Sequence, residues 1–249
     1  MLIRSVSDKP EASLHIVGFP GAGSSRAHFM QWDQLLGPQA RLSVVDPWLL
    51  YFEQEKKGLG VLGDVAALLA AELRELRSPA LLVGHSRGSL LAYETAQQLT
   101  AAGSGDRVAG LVAMAHRAPT TVPTYRLGSA GTEQLQRFLE EMGGTPPEIF
   151  ADPELLGMVL DRLRSELTMS ENYRHTWPRP LDCPLRVYLG DADGSVPHTE
   201  SDRWQDVVTG RCTSRTFSGG HFFPFGDTAG HVVETLLNDF ILAGDAHGL

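Results

Sequence analysis

Ala80-Leu81-Leu82-Val83-Gly84-His85-Ser86-Arg87-Gly88-Ser89-Leu90-Leu91 is the stretch on which the reading of this chain turns. Its first four residues form a short apolar run of the kind a buried parallel strand carries. Leu90, Leu91, Tyr93, Ala96 and Leu99 then recur at helical spacing, so strand passes to helix within a few residues. The junction Gly84-His85-Ser86-Arg87-Gly88 matches G-x-S-x-G in the strand-to-helix setting that the pattern requires. A serine on so sharp a turn has its hydroxyl lifted above the sheet. Glycines flank it because side chains there would collide with neighbouring backbone. Ser86 is therefore the candidate nucleophile.

On either side, β-rich runs alternate with longer helical patterns, which predicts an α/β fold with a mostly parallel sheet of about seven strands and helices on both faces. Strands are expected at Leu2–Val6, Leu14–Phe19, Arg41–Asp46, Ala80–His85, Val108–Ala115, Leu185–Gly190 and Thr213–Phe217. Helices are expected around Val61–Leu76, Leu90–Leu99 and Val232–Ile241, each with one apolar stripe. Residues 117–177 break the alternation. They offer only helical segments, Thr132–Met142 and Pro153–Leu167, separated by turn signals at Gly143-Gly144 and Pro146-Pro147. Such a stretch is too long for a crossover loop and reads as a helical lid inserted in a single domain spanning 1–249.

A serine hydroxyl needs a histidine to take its proton and a carboxylate to orient that histidine. After a nucleophile elbow these partners follow in the order Ser, acid, His, at later strand ends. Gly190-Asp191-Ala192-Asp193-Gly194 supplies two acids, of which Asp193 is favoured because the following glycine turn can aim it at a histidine. Ser218-Gly219-Gly220-His221 supplies the base. Of the remaining histidines, His85 is expected to be turned away by the elbow. His28, His116 and His175 are candidates to line the site, His198 and His231 are expected on helices, and His15 and His247 read as incidental. An oxyanion hole needs two backbone N–H groups. Arg87 offers one, and the small-residue loop Gly18–Ser24 the other.

The chain has 249 residues, enough to bury a core without metal or disulfide. With 30 acidic and 21 basic residues its formal charge is −9, which argues against nucleic acid as a partner. Cys183 and Cys212 make neither a metal pattern nor a disulfide framework, and no cofactor motif is present. No apolar run is long enough for a signal core or a membrane span, so the expectation is a cytoplasmic protein without membrane contact.

In their order the motifs resemble the type II thioesterases that accompany modular polyketide and nonribosomal peptide synthases, enzymes of the α/β-hydrolase fold. Phe19-Pro20-Gly21-Ala22-Gly23-Ser24 is similar to the family's F-P-x-A-G-G loop, with Trp32 in the helix after it. Gly84–Gly88 matches G-H-S-x-G, and Tyr93-Glu94 with Ala96 the F/Y-E-x-A beyond it. Gly143-Gly144-Thr145-Pro146, Leu163–Glu166, Asp182–Pro184, Gly190–Asp193 and Gly219–Phe223 complete the series. The resemblance implies a triad of Ser86, Asp193 and His221, with an oxyanion hole from the N–H groups of Ala22 and Arg87. It also implies substrate contacts at Phe19, Gly21, Arg87 and Phe222, and no cofactor. The implied reaction is hydrolysis of acyl groups from the phosphopantetheine arm of an acyl or peptidyl carrier protein, through an acyl-serine, by a monomer. An esterase or lactonase, an acyltransferase or cyclase, and a non-catalytic binding protein share the same scaffold. The chain departs from the pattern at Arg87, where an apolar residue is usual, at Gly21, and at Asp46–Tyr51. Arg87 either pairs with a carboxylate such as Glu94 or meets an anionic group on the substrate. Arg126, Arg137, Arg162 and Arg164 are candidates for a basic docking patch, or for solvated helix faces.

Overall fold

The apolar runs pair into one seven-stranded sheet in a computed structural model that describes residues 1–123, 126–142 and 145–242. In chain order the elements are β1 (Ile3–Ser5), β2 (Leu14–Phe19), α1 (Ala27–Met30), β3 (Ala40–Val45), α2 (Pro47–Lys57), α3 (Leu62–Arg74), β4 (Ala80–His85) and α4 (Arg87–Ala101). There follow β5 (Val108–Met114), α5 (Thr132–Met142), α6 (Pro147–Ala151), α7 (Pro153–Asn172), β6 (Leu185–Gly190), α8 (His198–Ser201), β7 (Cys212–Phe217) and α9 (Ala229–Leu237). The strand order is β1-β3-β2-β4-β5-β6-β7, with β1 antiparallel to β3 and the others parallel. Gly143, Gly144 and His247 lie outside the described residues, as does the side chain of His198.

Strand alternation sends neighbouring side chains to opposite faces. Ala80 and Leu82 join the cluster under α3 and α4 with Leu69, Leu73 and Leu90. Leu81 and Val83 join the other face with Trp32, Val232 and Leu236. Both faces of the central strands are buried, so they read in sequence as unbroken apolar runs. Each fully buried leucine or valine there contributes roughly 1.5–3 kcal/mol.

Three helices depart from the sequence expectation. α2 begins where the chain leaves the family pattern: Asp46 accepts from the backbone of Trp48 and Leu49, Pro47 takes the first helical position, and Gly58 ends the helix at φ 64°. Pro146-Pro147 is not merely a turn, because Pro147 opens the five-residue α6, a position where its missing N–H costs nothing. α7 runs on to Asn172, its start capped by Asp152. The helices α5, α6 and α7 occupy the interval between β5 and β6, and a third apolar cluster, built on Leu135, Leu139, Leu160 and Leu163, holds them together.

Buried histidines make this fold acid-sensitive. Burial, reinforced by Arg41, pushes His15 down to about 4, and burial likewise brings His116 to about 4. In the unfolded chain both would titrate near ~6.5. Below that pH the unfolded chain takes up protons that the folded protein refuses, so stability falls until the folded values are reached. The expected slope is about 1.4 kcal/mol per pH unit per histidine between ~6.5 and ~4. Urea midpoints measured across that range should fall less steeply for His15→Gln than for the wild type.

Candidate active site

Ser86 sits between β4 and α4 at φ 52° and ψ −131°, a conformation that L residues rarely adopt. The turn is possible because both flanking glycines lack Cβ. A Cβ at Gly88 would lie 2.0 Å from the Phe19 carbonyl oxygen, and one at Gly84 2.3 Å from Ser89 Cα. The Ser86 N–H donates to the Met114 carbonyl at 2.8 Å. The buried Ser89 hydroxyl donates to the carbonyls of Gly84 and Met114 and accepts from the Met114 N–H. Strain at Ser86 is thus held by its surroundings.

The two acids divide cleanly. Asp191 Oδ1 accepts from the Gly219 N–H at 2.9 Å, bracing the loop after β7. Asp193 Oδ2 accepts from His221 Nδ1 at 2.8 Å, and both side chains are largely buried, 4% and 10% exposed. Burial pushes the Asp193 carboxyl up, but the hydrogen bond and charge of His221 and the bonds from Ser195 outweigh it, so it is held below the usual carboxylate range. With Nδ1 donating to a carboxylate, His221 keeps Nε2 as an acceptor. Ser195 is a participant the sequence reading missed. Its N–H and hydroxyl donate to Asp193 Oδ1 at 3.0 and 2.5 Å, and its Oγ lies 3.1 Å from His221 Nδ1. The Asp193-Gly194-Ser195 turn was the available signal.

Ser86 and His221 line one cavity of about 390 Å³, together with Gly21, Ala22, Arg87 and Phe222. Arg87 is the first residue of the 15-residue α4, so its N–H belongs to the positive end of that helix. Gly21 packs tightly, since a Cβ there would come within 3.1 Å of Ser86 Cβ. Phe19 does not belong to this wall. It is fully buried in the cluster under α3 and α4, as the last residue of a strand covered on both faces, and the cavity wall begins two residues later at Gly21.

Other expectations are also corrected. His85 is turned from solvent yet remains at the cavity, where its Nε2 donates to the His221 carbonyl at 2.8 Å. His116 lines the cavity, whereas His28 packs on Phe222 and Phe225, and His175 bonds the Tyr93 hydroxyl. Arg87 pairs with Glu166 rather than Glu94. Its Nε donates to the Glu166 carbonyl at 3.0 Å, and its Nη1 lies 4.0 Å from the carboxylate. Glu94 instead accepts from Tyr173 and Trp177. Burial lowers the Arg87 pKa, with Glu166 opposing that shift. Glu166 also accepts from the Gly23 N–H at 2.8 Å, tying the loop after β2 to α7. Arg162 is 1% exposed, donates to the Ser24 carbonyl at 2.7 Å and stacks over Trp48, so it cannot belong to a docking patch. Arg164 is half-buried and bonds the Ala130 carbonyl; Arg126 and Arg137 are exposed. The Trp48 segment lies beneath the inserted helices. Among the described residues no cluster of His, Cys, Asp and Glu is arranged to hold a metal, and no helix is long and apolar enough to cross a membrane.

A strained serine between strand and helix, with an Asp–His pair brought to the same edge of a parallel sheet, defines an α/β-hydrolase architecture. A model of the thioesterase domain matches residues 14–240, and the chain belongs to the thioesterase family. It is 30% identical over 227 residues to thioesterase PikA5 of Streptomyces venezuelae, covering 89% of this chain and 79% of that protein. It is also 30% identical over 212 residues to a probable cadicidin biosynthesis thioesterase of Streptomyces griseus, covering 85% of this chain but 58% of the length of that relative. Among solved structures, YbtT, a type II thioesterase from the yersiniabactin NRPS/PKS pathway, superposes with a TM-score of 0.81 at 26% identity, covering 98% of this chain and 99% of its own.

Removing one partner of a buried ion pair strands the other, at a cost of about 3–5 kcal/mol. Glu166→Leu should therefore lower unfolding free energy by that amount in urea titrations. Adding Arg87→Met to it should restore only part of the loss, because the Gly23 N–H stays without its acceptor.

Proposed function

We propose that the chain hydrolyses acyl thioesters carried on the phosphopantetheine arm of an acyl or peptidyl carrier protein, with Ser86, His221 and Asp193 as its triad. The observation that carries this reading is the 2.8 Å bond from His221 Nδ1 to a largely buried Asp193, at the cavity that Ser86 also lines. His221 Nε2 takes the Ser86 proton as Oγ attacks the thioester carbonyl, and Asp193 stabilises the imidazolium that forms. The oxyanion is met by the N–H groups of Ala22 and Arg87, the latter favoured by the end of α4. Collapse of the tetrahedral intermediate breaks the C–S bond, and the imidazolium gives its proton to the departing thiolate. Water, deprotonated by His221, then attacks the acyl-serine and releases the acid.

Residues 117–177 act as a lid in this reading, supported by the contacts of α7 with Gly23, Ser24 and Arg87. The chain works as a monomer in the cytoplasm, where carrier-bound intermediates are made. Gly21, Arg87 and Phe222 bound the substrate path, Arg87 through its backbone.

Mixed with an acylated carrier, the wild type should gain one acyl mass and lose it on turnover, while Ser86→Ala gains none. A matched oxygen ester should be cleaved more slowly than the thioester; an ester cleaved faster would reassign the enzyme as an esterase. Asp193→Asn should reduce kcat by roughly 10³–10⁴-fold, by analogy with triads in general. Asp191→Asn should change kcat only a few-fold and act mainly on stability.

A further inference from the structure

His116 stands in the cavity wall one strand over from Ser86. Met114 pairs with His85 across β4 and β5, and Ala115, at φ 51°, turns the chain immediately beyond. Three hydrogen bonds fix the position. The Ala115 N–H donates to the Tyr188 carbonyl at 3.0 Å, and Trp204 Nε1 donates to the His116 carbonyl at 3.0 Å. His116 Nδ1 meets the Arg117 carbonyl at 2.7 Å. A carbonyl only accepts, so Nδ1 carries the ring proton and Nε2 keeps a lone pair. Burial brings the ring to about 4, the bond to the Arg117 carbonyl opposing the shift and the neighbouring positive charges adding to it, so it is neutral at physiological pH. Among the described residues Nε2 has no hydrogen-bond partner, nor is it one of the sealed polar atoms left without one. It is an acceptor left open on a side chain that lines the cavity.

We propose that His116 Nε2 is the acceptor subsite for a hydroxyl on the acyl chain, which makes hydroxyacyl thioesters the preferred substrate class. This rests on the reading of the chain as a thioesterase acting through Ser86. A neutral hydroxyl suits this acceptor, because Arg117 and Arg87 beside it are each already paired with a carboxylate, Glu200 at 3.6 Å and Glu166 at 4.0 Å. Phe138, Leu139 and Leu167 of the inserted helices line the same cavity and suit the alkyl remainder of the chain. A plain acyl chain would strip water from Nε2 and offer nothing in return, and such a loss weakens binding by about ten-fold.

The test compares kcat/KM for 3-hydroxyoctanoyl and octanoyl thioesters of N-acetylcysteamine in the wild type, His116→Phe and His116→Gln. The wild type should favour the hydroxyacyl substrate by about ten-fold. His116→Phe should bring the ratio near one, and His116→Gln, which restores an acceptor oxygen, should recover much of the preference. An unchanged ratio in His116→Phe overturns the subsite. A second series holds the octanoyl group fixed and compares pantetheine with a simple alkanethiol as leaving group. If His116→Phe alters that comparison instead, the acceptor serves an N–H of the arm and the hydroxyacyl assignment fails. A wild type that cleaves no thioester at all sinks the thioesterase reading, and the subsite with it; an active but indiscriminate wild type sinks only the subsite.

Discussion

The site depends on how closely α4 leaves the sheet. With a hypothetical Cβ at Gly88 only 2.0 Å from the Phe19 carbonyl, the first turn of α4 rests directly on the end of β2. That contact brings the N–H of Arg87 beside the loop that carries Ala22, and it forces Ser86 to a positive φ. Ala115 repeats the device one strand over, at φ 51°. Both strained residues follow strands that Ser89 stitches together through the carbonyls of Gly84 and Met114. Strain of this kind, of order 1–3 kcal/mol for each residue, persists only where the surroundings over-determine it.

The inserted helices are fastened to that elbow by polar contacts as well as by their apolar cluster. Glu166 on α7 holds both the Gly23 N–H and the Arg87 side chain, and Arg162 one turn earlier holds the Ser24 carbonyl. Buried charge adds little net stability, because desolvation offsets the Coulomb gain. What it provides is register: a shift of α7 by one residue would leave two guanidinium groups and a carboxylate without partners. The position of α7 and the geometry of the Gly21–Ser24 loop are therefore one variable. In the proposed reaction, movement of these helices would be felt at the Ala22 N–H as well as at the cavity opening.

The sheet was legible because burial on both faces writes strands as apolar runs, and Ala80–His85 and Leu185–Gly190 are bounded as the sequence suggested. The pairing of Asp193 with His221 was legible because glycine turns at strand ends mark where side chains can be aimed. The partner of Arg87 was not, since Glu166 lies 79 residues away and pairing depends on how α7 docks. Arg162 was misread for a related reason: a charge in a helix is usually solvated, and only packing on Trp48 shows that this one is not. Phe19 was misplaced because β2 is covered on both faces, and the cavity wall begins only at Gly21, beyond the strand's end.

Three histidines surround Ser86, and their partners explain why only one suits proton transfer. His85 Nε2 and His116 Nδ1 each donate to a carbonyl, which offers no full charge to stabilise an imidazolium. Burial lowers both pKa values, so each is a poor place to store a proton. His221 alone of the three sets Nδ1 against a carboxylate, and that carboxylate is kept ionised by the bonds it accepts. Had His85 or His116 carried charge beside it, the imidazolium of His221 would be opposed by a like neighbour in a site of low dielectric. Their neutrality is thus a condition for the role proposed for His221, and it leaves each of them free to act through a single hydrogen bond.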